Sequence, residues 1–591
     1  MDKPKLTYIT YIYIKIFLLL SLFLLQSCNK ESTSLSLQPH LKKPRYEIVS
    51  DGEQEEIGFM TLPLELQAYI LGFLDQRSFI KSSIVCHSWR GATYILGEQK
   101  ALDISYKKLN DQSCLYLSRG LFSSLTLRSC ELESQSARNL SQLSRIKYLE
   151  LRNTTIGVLG AEALASLSKL TTLKLYTCGI GTSGIRAIAN GNLTSLTALS
   201  LSYDPIEGAG AQALANGNLS SLTSLELLRN KIKNAGAQAL ANGNLSALKT
   251  LKITENKIKE LGYHSIVNGN LSSLTHLNLK HNRIGTIGTD FFSTGNLVNL
   301  SYLDLSSNYL KASKSKTLAS NSLTSLTHLI LGHSSIGVVE AQLLSEKKFP
   351  TLTYLDLSYS GIKAAAVKIL ANGNLFTLTS LNLDSNSIED AGAEFLSTGN
   401  LVNLTSLNLT RNKIGDIGIQ ALAKGNLSAL TSLSLEYNSL GLAGIAVLAK
   451  GNLSSLTHLD LSRNNITHVE IKTLLGGNLS FLTSLILRQN SLNVTEAYTL
   501  AHSNFHRLVH LDLGSNSIGD EGAKALATAY FPNLAYLGLR WNKIGIIGVE
   551  AFMNTYLPSL RDLVLDGNRI PKESKKAFLS WAEKESIKLV V

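Results

Sequence analysis

From Cys178 to Asn568 the hydrophobic pattern restarts every 26 residues. Residues 222–247 give one unit, LTSLELLRNKIKNAGAQALANGNLSA. Alternation along Leu222-Thr223-Ser224-Leu225-Glu226-Leu227 predicts a short strand. Leu225 and Leu227 lie on its core face, and Ser224 and Glu226 on the other. Three residues after the last core leucine stands Asn230, where the chain must leave the sheet. A short amide there can satisfy backbone groups that the turn leaves unpaired. It recurs as Asn256, Asn282, Asn308, Asn386, Asn412, Asn438, Asn464, Asn490, Asn516, Asn542 and Asn568. Ser334 and Ser360 replace it in two adjacent units, and Cys130, Thr154, Cys178 and Asp204 in the first four. Residues 234–243, NAGAQALANG, predict a short alanine-rich helix in which Gly236 permits close backbone approach and Gly243 stops the helix.

A fixed period of this length implies a solenoid, each unit packing on its neighbours and the whole presenting one long surface. The wording of the units resembles the leucine-rich repeat over residues 98 to 591. The I-G-x-x-G-A-x-A-L-A helix is similar to the ribonuclease-inhibitor class, and the 26-residue length to the class found in F-box leucine-rich-repeat proteins. The expected fold is α/β: a horseshoe with a parallel concave sheet and convex helices, in 18 or 19 repeats. At about 4.8 Å per strand these give an inner arc of roughly 90 Å, room for a protein partner. Residues 102 to 154 are irregular, as terminal units usually are. The final SIKLVV is in phase, so Leu589 and Val591 predict one more strand.

Ahead of the repeats, Leu62, Leu66, Ile70, Leu71 and Leu74 follow helical spacing, and a second helix would carry Phe79, Ile80, Ile84, Val85 and Trp89. Leu62-Pro63, Glu65-Leu66, Ile70, Phe73-Leu74, Val85-Cys86 and Trp89-Arg90 stand as in the F-box, which residues 58–93 resemble. The resemblance implies a small three-helix element that docks on the Skp-family adaptor of cullin-RING ubiquitin ligases. Its adaptor-binding residues would be Leu62, Pro63, Leu66, Ile70, Leu74, Val85 and Trp89. The plainer reading is an amphipathic helical cap over the first repeat.

Residues 1–28 combine Lys3 and Lys5, an apolar run to Leu25, and a break at Leu25-Gln26-Ser27-Cys28, which describes an export signal. The break resembles the lipobox of bacterial lipoproteins, which implies lipidation of Cys28, although Gln26 departs from the pattern. The run is also near the span of a bilayer, so an uncleaved anchor stays open. Residues 29–57, with acids from Asp51 to Glu56, read as a flexible tether. An export signal beside an adaptor-binding element implies a bacterial mimic of host ubiquitin-ligase parts, exported and either membrane-anchored or secreted, with access to the host cytosol. The competing reading is a surface lipoprotein whose repeats bind an extracellular or host ligand.

Composition changes little. The net charge of +12 is scattered among acids without an aromatic-plus-basic RNA motif, so no nucleic-acid partner is expected. The five cysteines share no C-x-x-C spacing, and Cys130 and Cys178 sit at the asparagine position, which reads as structural. The N-x-S/T sequons are the repeat's own turn wording.

His276 and His328 lie two strands apart, about 10 Å, too far to share one zinc ion. Asp304 and Asp356 are separated alike, wider than a glycosidase pair. No catalytic motif, cofactor or metal site is expected. The outward strand positions include Tyr302, Asp304, His328, Tyr354, Asp356, His458, Asp460, His510, Asp512, Tyr536, Arg540 and Trp541. Rings and arginines dominate protein-binding hot spots. Target binding is therefore expected at Tyr302, Asp304, His328, Tyr354 and Asp356, and at Arg540 with Trp541.

Overall fold

The computed structural model describes residues 101–106, 108–109, 123–132, 137–287, 296–312, 323–346, 349–555 and 557–591. The chain divides into two compact units: residues 1–102 with 116–125, and residues 103–115 with 126–591. Few residues of the first are described, and the repeats from residue 126 onward belong to the second. The expected F-box helices, the tether and Cys28 lie outside the described residues.

Among the described residues twenty parallel strands form one open sheet, each interior strand pairing with the strand one repeat before and the strand one repeat after it. The register never slips: Leu251, Leu277, Leu303, Leu329, Leu355, Leu381 and Leu407 are successive partners. The strand Lys588–Val590 adds to Asp562–Val564 as the phase of the sequence predicts. Leu589 and Val591 are half-buried. Helices such as Lys233–Asn242 and Glu389–Thr398 pack side by side behind the sheet. Between the layers the repeat leucines are almost wholly buried.

The asparagine file is a second backbone of the stack. The Oδ1 of Asn256 accepts from the backbone N–H of Asn230 at 2.9 Å, one repeat earlier. Each Nδ2 donates to carbonyls on its own and the preceding strand, as Asn412 does to Leu383 at 2.8 Å and Thr410 at 2.9 Å. The amide thus satisfies groups on both repeats that would otherwise be buried without partners. At Ser334 the file is interrupted: the hydroxyl is too short to reach, and its oxygen is buried without a hydrogen-bond partner among the described residues.

Cys178 fits the structural reading. Its Sγ points to the carbonyl of Leu151 at 3.4 Å, and burial pushes its thiol up to about 12, so it stays protonated. Cys130 is likewise buried and points to backbone carbonyls.

Asp204 fills the file with a carboxylate. It accepts from the N–H groups of Cys178 and Ile180 at 2.8 and 3.2 Å, yet burial raises its pKa above the usual carboxylate value. A raised folded-state pKa means the fold disfavours the charged form, so wild-type stability should rise as pH falls through that pKa. Asp204→Asn keeps the acceptor, adds the Nδ2 donor used at the other rungs and removes the charge. It should stabilise the protein by about 1 kcal/mol at pH 7 and remove this part of the pH dependence. Thermal melts of both chains between pH 4 and 8 measure this; a less stable variant at pH 7 would refute it.

Gly243 does stop its helix, but for another reason than a left-handed cap. Its backbone is extended, with φ −85° and ψ −167°. A Cβ there would lie 2.5 Å from both the Cβ and the carbonyl oxygen of Ala215 in the preceding repeat. Glycine is required by the close approach of neighbouring repeats. Gly236 meets the expectation directly, a Cβ there falling 2.7 Å from Ile232 Cβ and 3.0 Å from Ala211 Cβ.

Candidate partner-binding surfaces

The parallel register places His276, Tyr302, His328 and Tyr354 on four successive strands as one row of rings. Their centroids lie 5.7, 6.1 and 5.5 Å apart, with interplanar angles of 20°, 32° and 24°. The two histidines are exposed and the two tyrosines half-buried. A sheet sets adjacent side chains about 4.8 Å apart, close to the offset-stacking distance, so the rings brace one another.

Each of these histidines is tied to the threonine that precedes it. The Thr327 hydroxyl donates to the carbonyl of Ser301 at 2.9 Å and also lies 2.9 Å from His328 Nδ1. The hydroxyl has one hydrogen, so which of the two groups donates in the threonine–histidine contact follows the tautomer of the ring. Thr275 holds His276 and Thr457 holds His458 in the same way.

The aspartates differ from the expectation of outward partner-binding groups. Asp304 is 5% exposed; its Oδ1 accepts from the N–H and hydroxyl of Ser306 at 2.9 and 2.6 Å, while Asn278 donates to Oδ2 at 3.1 Å. Asp356 accepts from the N–H of Ser358 at 2.8 Å and remains half-buried. Asp512 is also buried, accepting from Gly514 N–H and pairing with Arg488 at 3.2 Å. These carboxylates accept hydrogen bonds from the turn after the strand, which occupies part of their acceptor capacity.

Arg540 and Trp541 form a separate patch. Seven strand steps separate them from Tyr354, about 34 Å at 4.8 Å per step. Arg540 Nε lies 2.6 Å from Asp566 Oδ2, and Trp541 is 59% exposed. The indole rests over Gly567, whose missing side chain makes room: a Cβ there would fall 2.5 Å from the ring. One strand before this patch His510 stacks on Tyr536 at 4.1 Å, and burial lowers the His510 pKa.

Single-sequence reasoning missed a ridge along the strand ends. The residue before each ladder asparagine has left-handed backbone, and successive ones line up one repeat apart. Tyr437 is held between Arg411 and Arg463, with guanidinium carbons 5.5 and 5.8 Å from its centroid. Arg411 also donates to the Tyr359 hydroxyl at 3.2 Å, and Tyr359 stacks on His333 at 4.5 Å. The signal was available at spacings of 26 and 52 residues, but only aligned loops show that these residues touch. Among the described residues no His, Cys, Asp and Glu cluster could hold a metal ion.

Comparison with known proteins agrees with this architecture. Residues 118–390 match the leucine-rich repeat region family, residues 400–423, 452–468 and 506–527 a second leucine-rich repeat family, and residues 59–93 the F-box domain. No curated protein matches the sequence at a significant level. Among solved structures, the TLR13–ssRNA13 complex aligns at 23% identity and a TM-score of 0.51, over 77% of this chain and 67% of that one, a likeness of fold. An internalin from Listeria monocytogenes aligns at 25% identity over 59% of this chain and 87% of that one, TM-score 0.36. A leucine-rich-repeat protein of Leptospira interrogans aligns at 19% identity over 78% and 99%, TM-score 0.37. The chain carries an F-box domain joined to a leucine-rich-repeat solenoid, the composition of a protein-interaction adaptor.

Proposed function

We propose that this chain is a substrate-recognition adaptor: the F-box engages a Skp-family adaptor of a host cullin-RING ligase, and the repeats hold a target protein for ubiquitylation. The observation that carries it is the union, in one chain, of the F-box match at 59–93 with a rigid ladder presenting a braced row of rings. No chemistry is assigned to the chain, since ubiquitin transfer belongs to other ligase subunits. The export-like residues 1–28 support a bacterial protein acting on a eukaryotic host, with Cys28 as the lipidation site.

The test is copurification with a recombinant Skp-family adaptor. Wild type should retain it, and Trp89→Ala, or Leu62→Ala with Pro63→Ala, should release it, because a truncated aromatic anchor typically costs about 2 kcal/mol or more. Retention by all variants would remove the F-box reading. The lipobox-like ending at Cys28 favours a second reading, a surface-anchored lipoprotein binding an extracellular ligand. On that reading the adaptor never binds and Cys28→Ala alone frees the protein from membranes. Among the described residues no helix is long and apolar enough to cross a membrane.

A further inference from the structure

Three successive repeats carry exposed cations on the loops that leave the sheet. At the position after the ladder asparagine stand Lys231, Lys257 and Arg283, and two residues further on Lys233 and Lys259. Because the repeats are in register, these form two adjacent files with neighbours about one strand spacing apart. None of the five forms an ion pair with a described residue; the cation that does, Arg229, is bound to Glu255. Backbone geometry does not call for lysine here. Lys231, Lys233 and Lys257 are left-handed, with φ of 58°, 56° and 60°, and Gly179 and Gly361 occupy the position after the ladder residue in other repeats.

Like charges stacked this closely repel one another and are relieved by an opposite charge bound across them. Beside the files Leu261 is 73% exposed at the start of the helix Glu260–Asn268. An apolar contact next to cations suits a peptide, whose side chains alternate in character, better than a phosphate backbone. The nearby Tyr203 has one ring face occupied by Arg229 at 5.2 Å, which leaves at most the other face to a base. The last of these repeats also begins the row of rings at His276, which makes the loops an extension of that surface.

We propose that the files of Lys231, Lys257, Arg283, Lys233 and Lys259 bind a short acidic segment of the partner protein, its carboxylates on the cations and an apolar residue on Leu261. This rests on the reading of the repeats as the target-binding part. It does not depend on the F-box.

The probe is a fluorescein-labelled 12-residue peptide with six glutamates and two leucines, titrated with the full chain and read by anisotropy. Binding should weaken steeply with added salt. Lys231→Glu with Lys257→Glu should weaken it at least tenfold, and Lys231→Gln with Lys257→Gln by a smaller factor, with unchanged thermal melts. Lys413→Glu with Lys543→Glu makes the same charge change at the same loop position in distant repeats and should leave binding intact. Equal losses in both glutamate pairs, or no loss in either, overturn the proposal. So does tighter binding of a 12-nucleotide single strand, or of phosphatidylserine vesicles, lost in the Lys231 and Lys257 variants. The assay contains no Skp-family adaptor, so its failure and failure of the F-box reading are separately visible.

Discussion

Leu381→Asp should collapse several neighbouring repeats together. Leu381 lies in the strand Ser380–Asn382, is 3% exposed, and is in register with Leu355 and Leu407. Removing it forfeits about 1.5–3 kcal/mol of buried side chain. Placing a carboxylate there costs several kcal/mol more, so the total loss should exceed about 5 kcal/mol, beyond the range of most single substitutions. Each repeat is held by its two neighbours, so the damage should spread along the stack. Hydrogen exchange should show lost protection across roughly residues 354–408 first, and circular dichroism a lower and broader melt. A cooperative transition at the wild-type midpoint would be incompatible with nearest-neighbour stacking.

The second large effect concerns the target surface. Tyr302→Ala with Tyr354→Ala removes two rings from the braced row and leaves His276 and His328 without stacking partners. Capture of the target should weaken by at least about 2 kcal/mol, roughly thirtyfold, because a preformed aromatic platform loses little entropy on binding. The melting curve should change little, since both rings stand on the open face of the sheet. Arg540→Ala with Trp541→Ala tests the distant patch in the same way. Gly567→Ala should reproduce the Trp541 effect by displacing the indole. If neither pair alters capture of a target pulled from host lysate while Ile417→Ala on the convex helices does, the binding surface lies on the other side of the solenoid.

The aspartates stand on the predicted face and are also engaged within the chain. Alternation puts Asp304 on the strand face opposite Leu303, and it is there. Yet a carboxylate two residues before Ser306 can reach back to that residue's N–H and hydroxyl, and the local bond wins over exposure. Trp541 has the opposite history: its placement at the strand end was legible, but its support by Gly567 needed the next repeat.

The 26-residue period by itself determined the parallel ladder, the core leucines, the asparagine file and the row of rings, because a solenoid repeats in space what it repeats along the chain. The tertiary structure alone decided how the files interact: that Thr327 ties down the His328 ring, why Gly243 must be glycine, that Tyr437 sits between two arginines, and that five cations stand together without acidic partners among the described residues. Those outcomes depend on distances of a few ångströms between adjacent repeats. Periodicity fixes which residues are neighbours, whereas rotamers, turn closure and competing hydrogen bonds fix what the neighbours do.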